Sequence, residues 1–399
     1  MKKYFFTSIS LILLLLNPIQ AQEPARNPTS SGEPRTSLTH LASVSGSNYL
    51  HQLSLRGFNL DSQGLLIESL DGRSIYAELN SNIGFNPASV IKVATSFAAL
   101  CKFGPEYHFE TNLYIDGDIN KKTRTLDGNL ILQTTGDPVL TSIDLSRLIR
   151  DVVREGISRI NGNLVVTGPF TFGLSYTTTD KATKAFAQTL RRTGIRFNDT
   201  VIGGIAQGTK IASHTSSSLR DILLYQNEHS VNPTAERLGE AVGGPKGVEQ
   251  FLIKDLNINP NEITISRTSG LDYNRITPRA TVQLFRELVF WLNLNSLRPD
   301  DILPVAGVDA GTLAQRFRGD EYRGGIIGKT GTLPGTDGGV STLAGIAYTR
   351  DHGPVLFAIF NTKGPVTTFR KLQDSLLKGF IVESGGIPDS SASLHRLNN

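Results

Sequence analysis

The order of strand-like and helix-like segments constrains the fold of this chain more than any other feature of its sequence. Residues 64–79 form two strand-like runs on either side of Asp71-Gly72, a strong β-hairpin signal. Near the C-terminus lie three more strand-like runs and an amphipathic segment: 325–333, 340–349, 355–361 and 367–382. Helix-like segments dominate the chain between, for example 219–226, 233–242 and 282–294. We therefore predict an α+β fold whose antiparallel sheet, with helices on both sides, is closed by both ends of the chain.

Between the hairpin and the later helices, the pattern of predicted strands and helices changes, which indicates a nested domain. Short strands alternate with amphipathic helices in the predicted segments 109–115, 129–133, 142–155, 163–167 and 182–193. We predict one small α+β insert domain at 107–207, within a catalytic domain made of residues 36–106 and 208–386. The length of 399 residues agrees, because it exceeds one ordinary domain.

The first residues predict export. Lys2 and Lys3 precede an apolar run at 5–16 and a break ending at Ala21, the pattern of a secretory signal peptide. The run is shorter than the roughly 20 residues that a membrane span needs. We expect a signal peptide at 1–21, a flexible leader at 22–35, a C-terminal tail at 387–399, and a periplasmic or extracytoplasmic mature protein without a membrane span.

Composition excludes several classes of function. Without Lys2 and Lys3 the net charge falls from +4 to +2, too small an excess to indicate nucleic-acid binding. Cys101 is the only cysteine, so internal disulfides and cysteine-built metal sites are excluded. The chain has no HExxH motif either, and we expect neither a metal nor a cofactor. Cys101 itself is expected to be a small core residue.

The first candidate for catalysis is Ser89, with Lys92 three positions later on a nearly all-apolar helix. This spacing puts both side chains on one helix face. A serine hydroxyl becomes a nucleophile when a base removes its proton, and burial prepares a lysine for that role by lowering its pKa. The motif alone is weak, because Ser375 and Lys378 repeat it in an amphipathic helix where Lys378 is expected to face water.

Two further motifs in a fixed order strengthen the interpretation. Ser230-Val-Asn232 lies just before a predicted helix, and Lys329-Thr-Gly-Thr332 lies on a predicted strand. Each has a structural interpretation alone, an N-cap for the first and a strand end for the second. The order Ser-x-x-Lys, Ser-x-Asn, Lys-Thr-Gly is instead the serine acyl-transfer set of penicillin-binding proteins and β-lactamases.

Each residue of the set has a physical role in acyl transfer. Ser230 is expected to relay a proton between Lys92 and the leaving group, and Asn232 to hold a substrate amide. Lys329 adds positive charge that favours a neutral Lys92 and attracts a carboxylate. The remaining substrate-binding candidates lie on the strand: Thr330, Gly331 and Thr332. Gly331 lets a peptide lie along the strand edge, and the backbone N–H groups of Ser89 and Thr332 are expected to bind the oxyanion.

The wider sequence resembles a known family, the D-alanyl-D-alanine carboxypeptidase/endopeptidases of the class C low-molecular-mass penicillin-binding proteins. The resemblance covers about residues 36–385 and rests on five segments: 86–92, 136–138, 269–278, 303–313 and 329–333. It implies a penicillin-recognising serine-enzyme fold, hydrolysis of D-Ala-D-Ala bonds or D-amino-acid cross-links in peptidoglycan stem peptides, and covalent inhibition by β-lactams. By position it makes Ser89 the nucleophile and Lys92 the general base. Ser230, Asn232 and Lys329 are then the remaining catalytic and binding groups.

The sequence departs from the family pattern in three places. Family members commonly carry two nested insert domains, and this chain has room for roughly one. Arg267-Thr268 replaces the usual Asp-Gly ahead of Ser269, and the loop at 334–339 is longer than usual. That loop adjoins the active-site strand. We therefore expect the departures to alter substrate specificity and to leave the chemistry intact.

Other functions remain open at this stage. A β-lactamase has the same motifs and differs in how fast it hydrolyses its acyl-enzyme. A non-catalytic peptidoglycan-binding protein is disfavoured because all five catalytic side chains are present. A Ser-His-Asp hydrolase is disfavoured because the chain has no Gly-x-Ser-x-Gly elbow. The sequence does not distinguish carboxypeptidase from endopeptidase activity, and it does not indicate the oligomeric state.

Overall fold

The computed structural model describes residues 39–173 and 177–388. The predicted signal peptide and leader therefore lie outside the described residues, as does nearly all of the predicted tail. Within the described ranges, no helix is long and apolar enough to cross a membrane.

The described residues contain fourteen strands and nine α-helices. The strands are β1 Thr39–Leu41, β2 Gln63–Ser69, β3 Ile75–Leu79, β4 His108–Asn120, β5 Thr125–Thr134, β6 Arg159–Ile160, β7 Leu164–Thr167, β8 Thr200–Ile202, β9 Thr209–Ser218, β10 Ile263–Thr264, β11 Arg275–Ile276, β12 Ile326–Leu333, β13 Val340–Thr349 and β14 Gly353–Asn361. The helices are α1 Val44–Leu55, α2 Lys92–Phe103, α3 Ser142–Arg154, α4 Thr179–Arg192, α5 Leu219–His229, α6 Asn232–Ala241, α7 Gly244–Lys254, α8 Pro278–Leu294 and α9 Val366–Glu383.

The main sheet is closed by both ends of the chain, as the element order predicted. Its strand order is β1-β3-β2-β14-β13-β12, and all its neighbouring pairs are antiparallel. The predicted hairpin, β2 and β3, joins the C-terminal strands because β2 pairs with β14 over seven residues. The fold class is therefore α+β with a central antiparallel sheet.

Each face of this sheet is covered by its own hydrophobic core, because alternate side chains of a strand point to opposite faces. On one face Leu66, Ile327 and Leu356 pack with residues of α2, α5 and α8. On the other face Leu65, Ile326 and Phe357 pack with residues of α1 and α9. The sheet is thus a central layer whose last strand, β12, is an edge strand.

A second sheet, of strand order β8-β7-β5-β4-β9 with β6 beside β5, lies between α2 and α5 in the chain. It mixes antiparallel pairs with the parallel pairs β5–β7 and β7–β8, and it shares a separate core with α3 and α4. Its last strand, β9, lies beyond residue 207, the predicted end of the insert. The division of the chain into domains stays a prediction.

The prediction for Cys101 is wrong, because this side chain is exposed. Helix α2 is buried continuously from Lys92 to Leu100, and its cover ends in the last turn before Gly104. The apolar sequence of α2 has no polar stripe to mark where the cover ends, so the exposure could not be predicted from the pattern.

A buried network of amide side chains joins the elements from the two ends of the chain. Asn361 of β14 donates to the Tyr49 hydroxyl of α1 at 2.6 Å and to Oε1 of Gln63 of β2 at 2.8 Å. It accepts a hydrogen bond from Nε2 of Gln373 of α9 at 3.0 Å. Since Asn361, Gln63 and Gln373 are nearly inaccessible to solvent, water cannot replace a missing partner.

We therefore expect Asn361→Ala to lower the free energy of unfolding by about 2–4 kcal/mol, because it leaves several buried polar groups without partners. Urea denaturation followed by circular dichroism measures the change. Asn48→Ala on the exposed side of α1 is the matched control and should leave the urea midpoint nearly unchanged. Equal midpoints for both variants would contradict a stabilising role for the network.

Candidate active site

Ser89 and Lys92 lie where a 3-10 turn leads directly into a buried helix. The turn spans Ala88–Ile91, and α2 begins at Lys92. Side chains three residues apart are nearly eclipsed in a 3-10 turn. The Lys92 ammonium nitrogen, Nζ, accordingly lies 2.9 Å from the Ser89 hydroxyl oxygen. The half-exposed Ser89 is thus within reach of a buried amine.

The backbone before Ser89 is fixed by side chains of neighbouring segments. Ala88 has a positive φ of 46°, and its N–H donates to Oδ1 of Asn86 at 3.0 Å. Gly270 approaches so closely that a Cβ atom there would lie 2.0 Å from the Ala88 carbonyl oxygen. Because Gly270 also has a positive φ, glycine is required here on both grounds.

Lys92 is completely buried among hydrogen-bond acceptors. Its Nζ donates to Oδ1 of Asn232 at 2.7 Å and to the Ser269 carbonyl oxygen at 2.5 Å, besides Ser89. Burial lowers the pKa of Lys92 to about 7, and the negative charge of Glu236 opposes this shift. A substantial fraction of Lys92 is therefore neutral near neutral pH.

Glu236 is a functional candidate that the sequence analysis missed. It is buried on α6, where Oε1 accepts hydrogen bonds from the Ser269 N–H at 3.1 Å and from Arg267 Nε at 3.2 Å, and Oε2 accepts from the Thr268 hydroxyl at 3.2 Å. Glu236 follows Asn232 by four residues, so both lie on one face of α6. This spacing was the available signal, because Asn232 was already placed in the site.

The short connection between α5 and α6 brings the second motif to the lysines. Ser230 ends α5 in the left-handed conformation, with φ 55°, and Asn232 begins α6. The chain reverses within these residues, so Ser230 contacts Lys329 while Asn232 contacts Lys92. Lys329 Nζ donates to the Ser230 hydroxyl at 3.0 Å and to the Thr330 carbonyl oxygen at 2.8 Å.

Lys329 is buried as completely as Lys92. Burial lowers its pKa well below the ordinary value, and the positive charge of Lys92 lowers it further. The two lysines thus share one site, and the negative charge of Glu236 raises the pKa of Lys92 there. Two positive charges in such a place repel each other, which favours a site with one neutral lysine.

Strand β12 presents an open edge beside Ser89. Residues 304–306 cover the outer edge as far as Gly328, whose N–H donates to the Pro304 carbonyl at 3.2 Å. From Lys329 to Leu333, no strand of the described chain covers this edge. A Cβ atom on Gly331 would lie 2.2 Å from Thr342 Oγ1 and 2.6 Å from the Pro87 carbonyl oxygen, so only glycine fits there.

Alternation along β12 separates its side chains into two groups. Lys329 and Gly331 point to the face that carries Ser89, as Ile327 does. Thr330 and Thr332 point to the face covered by α9, where Nη2 of Arg370 donates to the Thr332 hydroxyl at 2.8 Å. Arg370 is the second residue at the site that the sequence analysis missed, and no motif distinguishes it from other exposed arginines.

The structure brings the eight predicted site residues into one region around the start of α2 and the open edge of β12. Direct hydrogen bonds link Ser89 to Lys92, Lys92 to Asn232, and Lys329 to Ser230. Their catalytic roles, including oxyanion binding by the Ser89 and Thr332 N–H groups, stay predictions. The described residues contain no cluster of three or more histidine, cysteine or carboxylate side chains able to hold a metal.

The second Ser-x-x-Lys motif lies in a different environment. Ser375 is exposed on α9, and Lys378 is only partly buried. The expectation that Lys378 faces water is wrong in part, because its Nζ lies 4.9 Å from the ring centroid of Tyr322 and the residue is half-buried. A long lysine side chain covers apolar surface in this way while its charge stays near water.

The two sequence departures near the site are structurally resolved. Arg267 pairs with Glu236, and Thr268 packs against Gly239 of α6, where a Cβ atom would lie 2.2 Å from the Thr268 hydroxyl. In the longer loop at 334–339, Asp337 pairs with Arg275 at 3.2 Å. The first segment is thus attached to α6, which begins at Asn232, and the loop is attached to β11.

Known proteins resemble this chain in sequence and in fold. D-alanyl-D-alanine carboxypeptidase DacB of Haemophilus influenzae is 37% identical over 103 residues, which are 26% of this chain and 21% of that protein. D-alanyl-D-alanine carboxypeptidase of an Actinomadura species is 30% identical over 199 residues, 44% of this chain and 35% of that protein. The chain therefore spans about a fifth and a third of the length of these curated relatives.

The similar solved structures show the fold. Penicillin-binding protein 4 of Haemophilus influenzae, in complex with a β-lactam, matches with a TM-score of 0.67 at 23% identity, over 80% of this chain and 95% of that chain. A predatory endopeptidase of Bdellovibrio bacteriovorus, in complex with an immunity protein, matches with a TM-score of 0.67 at 19% identity, over 82% and 95%. The predicted fold of the penicillin-binding proteins is confirmed.

Family membership follows from a match that covers most of the sequence. The D-Ala-D-Ala carboxypeptidase 3 (S13) family matches residues 50–171 and 167–375. These ranges include all three motifs, from Ser89 to Thr332. The chain belongs to the D-Ala-D-Ala carboxypeptidase 3 (S13) family.

Proposed function

We propose that this protein is a penicillin-binding serine hydrolase that cleaves D-Ala-D-Ala bonds, D-amino-acid cross-links or both in peptidoglycan stem peptides. The observation that carries the proposal is the 2.9 Å contact between the Ser89 hydroxyl and the amine of Lys92, whose pKa burial lowers to about 7. Family membership and the two carboxypeptidase relatives support this substrate class. The sequence of residues 1–21 supports action outside the cytoplasm.

Acylation begins at Ser89. Neutral Lys92 accepts the Ser89 proton as the oxygen attacks the carbonyl carbon of the penultimate D-alanine. The tetrahedral oxyanion is bound by the backbone N–H groups of Ser89 and Thr332. The C–N bond then breaks, and the leaving amine takes a proton that passes from Lys92 through the Ser230 hydroxyl.

Deacylation uses the same groups with water as the nucleophile. Lys92 accepts a proton from water as its oxygen attacks the acyl carbon, and Ser89 regains a proton as the ester bond breaks. Asn232 holds a peptide amide of the substrate and accepts a hydrogen bond from Lys92, which orients the base. A β-lactam acylates Ser89 in the same way, but the ring-opened leaving group stays attached to the acyl chain.

Acylation of Ser89 by benzylpenicillin is the direct test. We expect intact-protein mass spectrometry to show one adduct, mapped to Ser89 and absent in Ser89→Ala. Ser375→Ala is the matched control, because it alters the same sequence spacing away from the buried lysines and should keep the adduct. Wild-type protein without an adduct would refute the acyl-enzyme, and rapid release of hydrolysed penicillin would favour a β-lactamase.

The pH dependence of acylation tests the role of Lys92. The base acts in its neutral form, so the acylation rate should be lost as pH falls through about 7, the pKa of Lys92. Lys92→Arg introduces a guanidinium that stays protonated at all these pH values, so it should slow acylation by about 10²–10⁴-fold. Stopped-flow kinetics with a chromogenic cephalosporin measures both effects. A rate independent of pH across this midpoint would exclude Lys92 as the base.

Glu236 should tune this midpoint. Its negative charge raises the pKa of Lys92, so Glu236→Gln should move the acid limb of the acylation profile to lower pH. Glu240→Gln, one turn later on α6 and exposed, is the control and should leave the midpoint in place. Loss of rate without any shift of the midpoint would indicate that Glu236 acts only through the fold.

A further inference from the structure

A buried cluster of three polar side chains joins helices α2 and α5. The Ser96 hydroxyl of α2 accepts hydrogen bonds from Nε2 of Gln226 at 3.1 Å and from Nδ2 of Asn227 at 3.2 Å, both on α5. Nδ2 of Asn227 also donates to the Ile302 carbonyl oxygen at 2.9 Å. All three side chains are inaccessible to solvent. The cluster therefore fixes the two helices against each other at one level along their axes.

Each helix connects this cluster to a proposed catalytic residue. Ser96 follows Lys92 by four residues, so the two side chains lie on one face of α2. Gln226 precedes Ser230 by four residues, and its carbonyl oxygen accepts hydrogen bonds from the backbone N–H groups of Ser230 and Val231. Gln226 thus contacts α2 through its side chain and holds the turn at Ser230 through its backbone.

The distance between Ser230 and Lys92 is not fixed by a direct contact. Within residues 39–173 and 177–388, no hydrogen bond joins the Ser230 hydroxyl to Lys92, and this hydroxyl accepts from Lys329 instead. The relative position of Ser230 and Lys92 therefore depends on how α5 lies against α2. The contact of Ser96 with Gln226 and Asn227 sets that arrangement.

Hydrogen bonds suit this task better than apolar packing does. Apolar side chains of both helices belong to one core, among them Val93, Phe97 and Leu223. Oε1 of Gln226 is buried without a hydrogen-bond partner in the described part of the chain, which is unfavourable. Apolar residues of similar volume would avoid this penalty, but their attraction has no preferred direction. A polar cluster at this position thus points to a requirement for one fixed register between α2 and α5.

We propose that Ser96, Gln226 and Asn227 are positioning residues, which place Ser230 for proton transfer to the leaving amine. This inference rests on the proposed function and concerns the step in which the C–N bond breaks. In that step Lys92 gives a proton to the Ser230 oxygen, and the Ser230 hydroxyl proton passes to the departing nitrogen. Because Ser230 gains one proton and loses one, the transfer depends on its distance from both nitrogen atoms.

Two substrates with the same acyl group separate this role from a merely structural one. The amine of an amide substrate must be protonated as it leaves, whereas a thiol is acidic enough to leave as an anion. We measure kcat/KM, which reports acylation, for diacetyl-L-Lys-D-Ala-D-Ala and for the thioester of the same acyl group with thioglycolate. Ser96→Ala and Gln226→Leu should each lower kcat/KM for the amide about 10-fold or more, and change the thioester value much less.

Asn361→Ala is the matched control, because it disrupts a buried amide network on the face of the main sheet that α1 and α9 cover. It should lower stability and leave the amide-to-thioester ratio of kcat/KM unchanged. Ser96→Ala removes a single oxygen atom, so it serves as the test if Gln226→Leu does not fold. Unfolding removes active protein and lowers kcat/KM for both substrates alike, and the urea midpoint of each variant measures it.

An amide-to-thioester ratio that stays unchanged in any folded variant of the cluster would overturn the inference, as would an equal fall of the ratio in Asn361→Ala. Wild-type protein that forms the penicillin adduct but does not cleave the amide would overturn it too, because a correctly placed Ser230 must support amide cleavage. Failure of the proposed function is distinguishable, since wild-type protein would then form no adduct on Ser89.

Discussion

The burial of two lysine amines, each beside a serine, is the constraint on which the rest of the site depends. Lys92 and Lys329 are both inaccessible to solvent, and an unpaired buried ammonium is strongly unfavourable. The protein offsets this with oxygen acceptors from separate segments: Asn232, Ser230, the Ser269 carbonyl and the Thr330 carbonyl. Displacing these segments would expose a lysine ammonium to solvent or leave it buried without an acceptor. The proposed chemistry and the local fold therefore depend on the same contacts.

Glu236 connects the buried lysines to residues 267–268, where the sequence departs from the family pattern. Its carboxylate receives hydrogen bonds from residues 267–269, the segment that also supplies the Lys92 acceptor at Ser269. Arg267 forms an ion pair with Glu236 at 3.2 Å. The Arg267-Thr268 pair therefore contacts the carboxylate that raises the pKa of Lys92, while the Asn86 and Gly270 contacts fix the backbone before Ser89.

Much of the fold and site was predictable because it follows local rules. Turn chemistry at Asp71-Gly72 and strand-like runs predicted β2, β3 and β13, the last with both bounds as observed. Helix α1 and strand β9 were missed, because α1 contains glycine and three serines and β9 is a mostly polar strand with register shifts. The exposure of Cys101, the aromatic contact of Lys378 and the contacts of Glu236 and Arg370 depend on which segments meet in space. A single sequence does not contain that information.

The distribution of charge explains how one site serves both proton transfer and recognition. In the proposed reaction, neutral Lys92 must stay near Ser89 while a peptide reaches the strand edge. Alternation along β12 separates these tasks: Lys329 and Gly331 face the buried lysine, and Thr330 and Thr332 face α9. The edge position of β12 thus leaves its backbone open to pair with a peptide, while Lys92 and Lys329 stay buried.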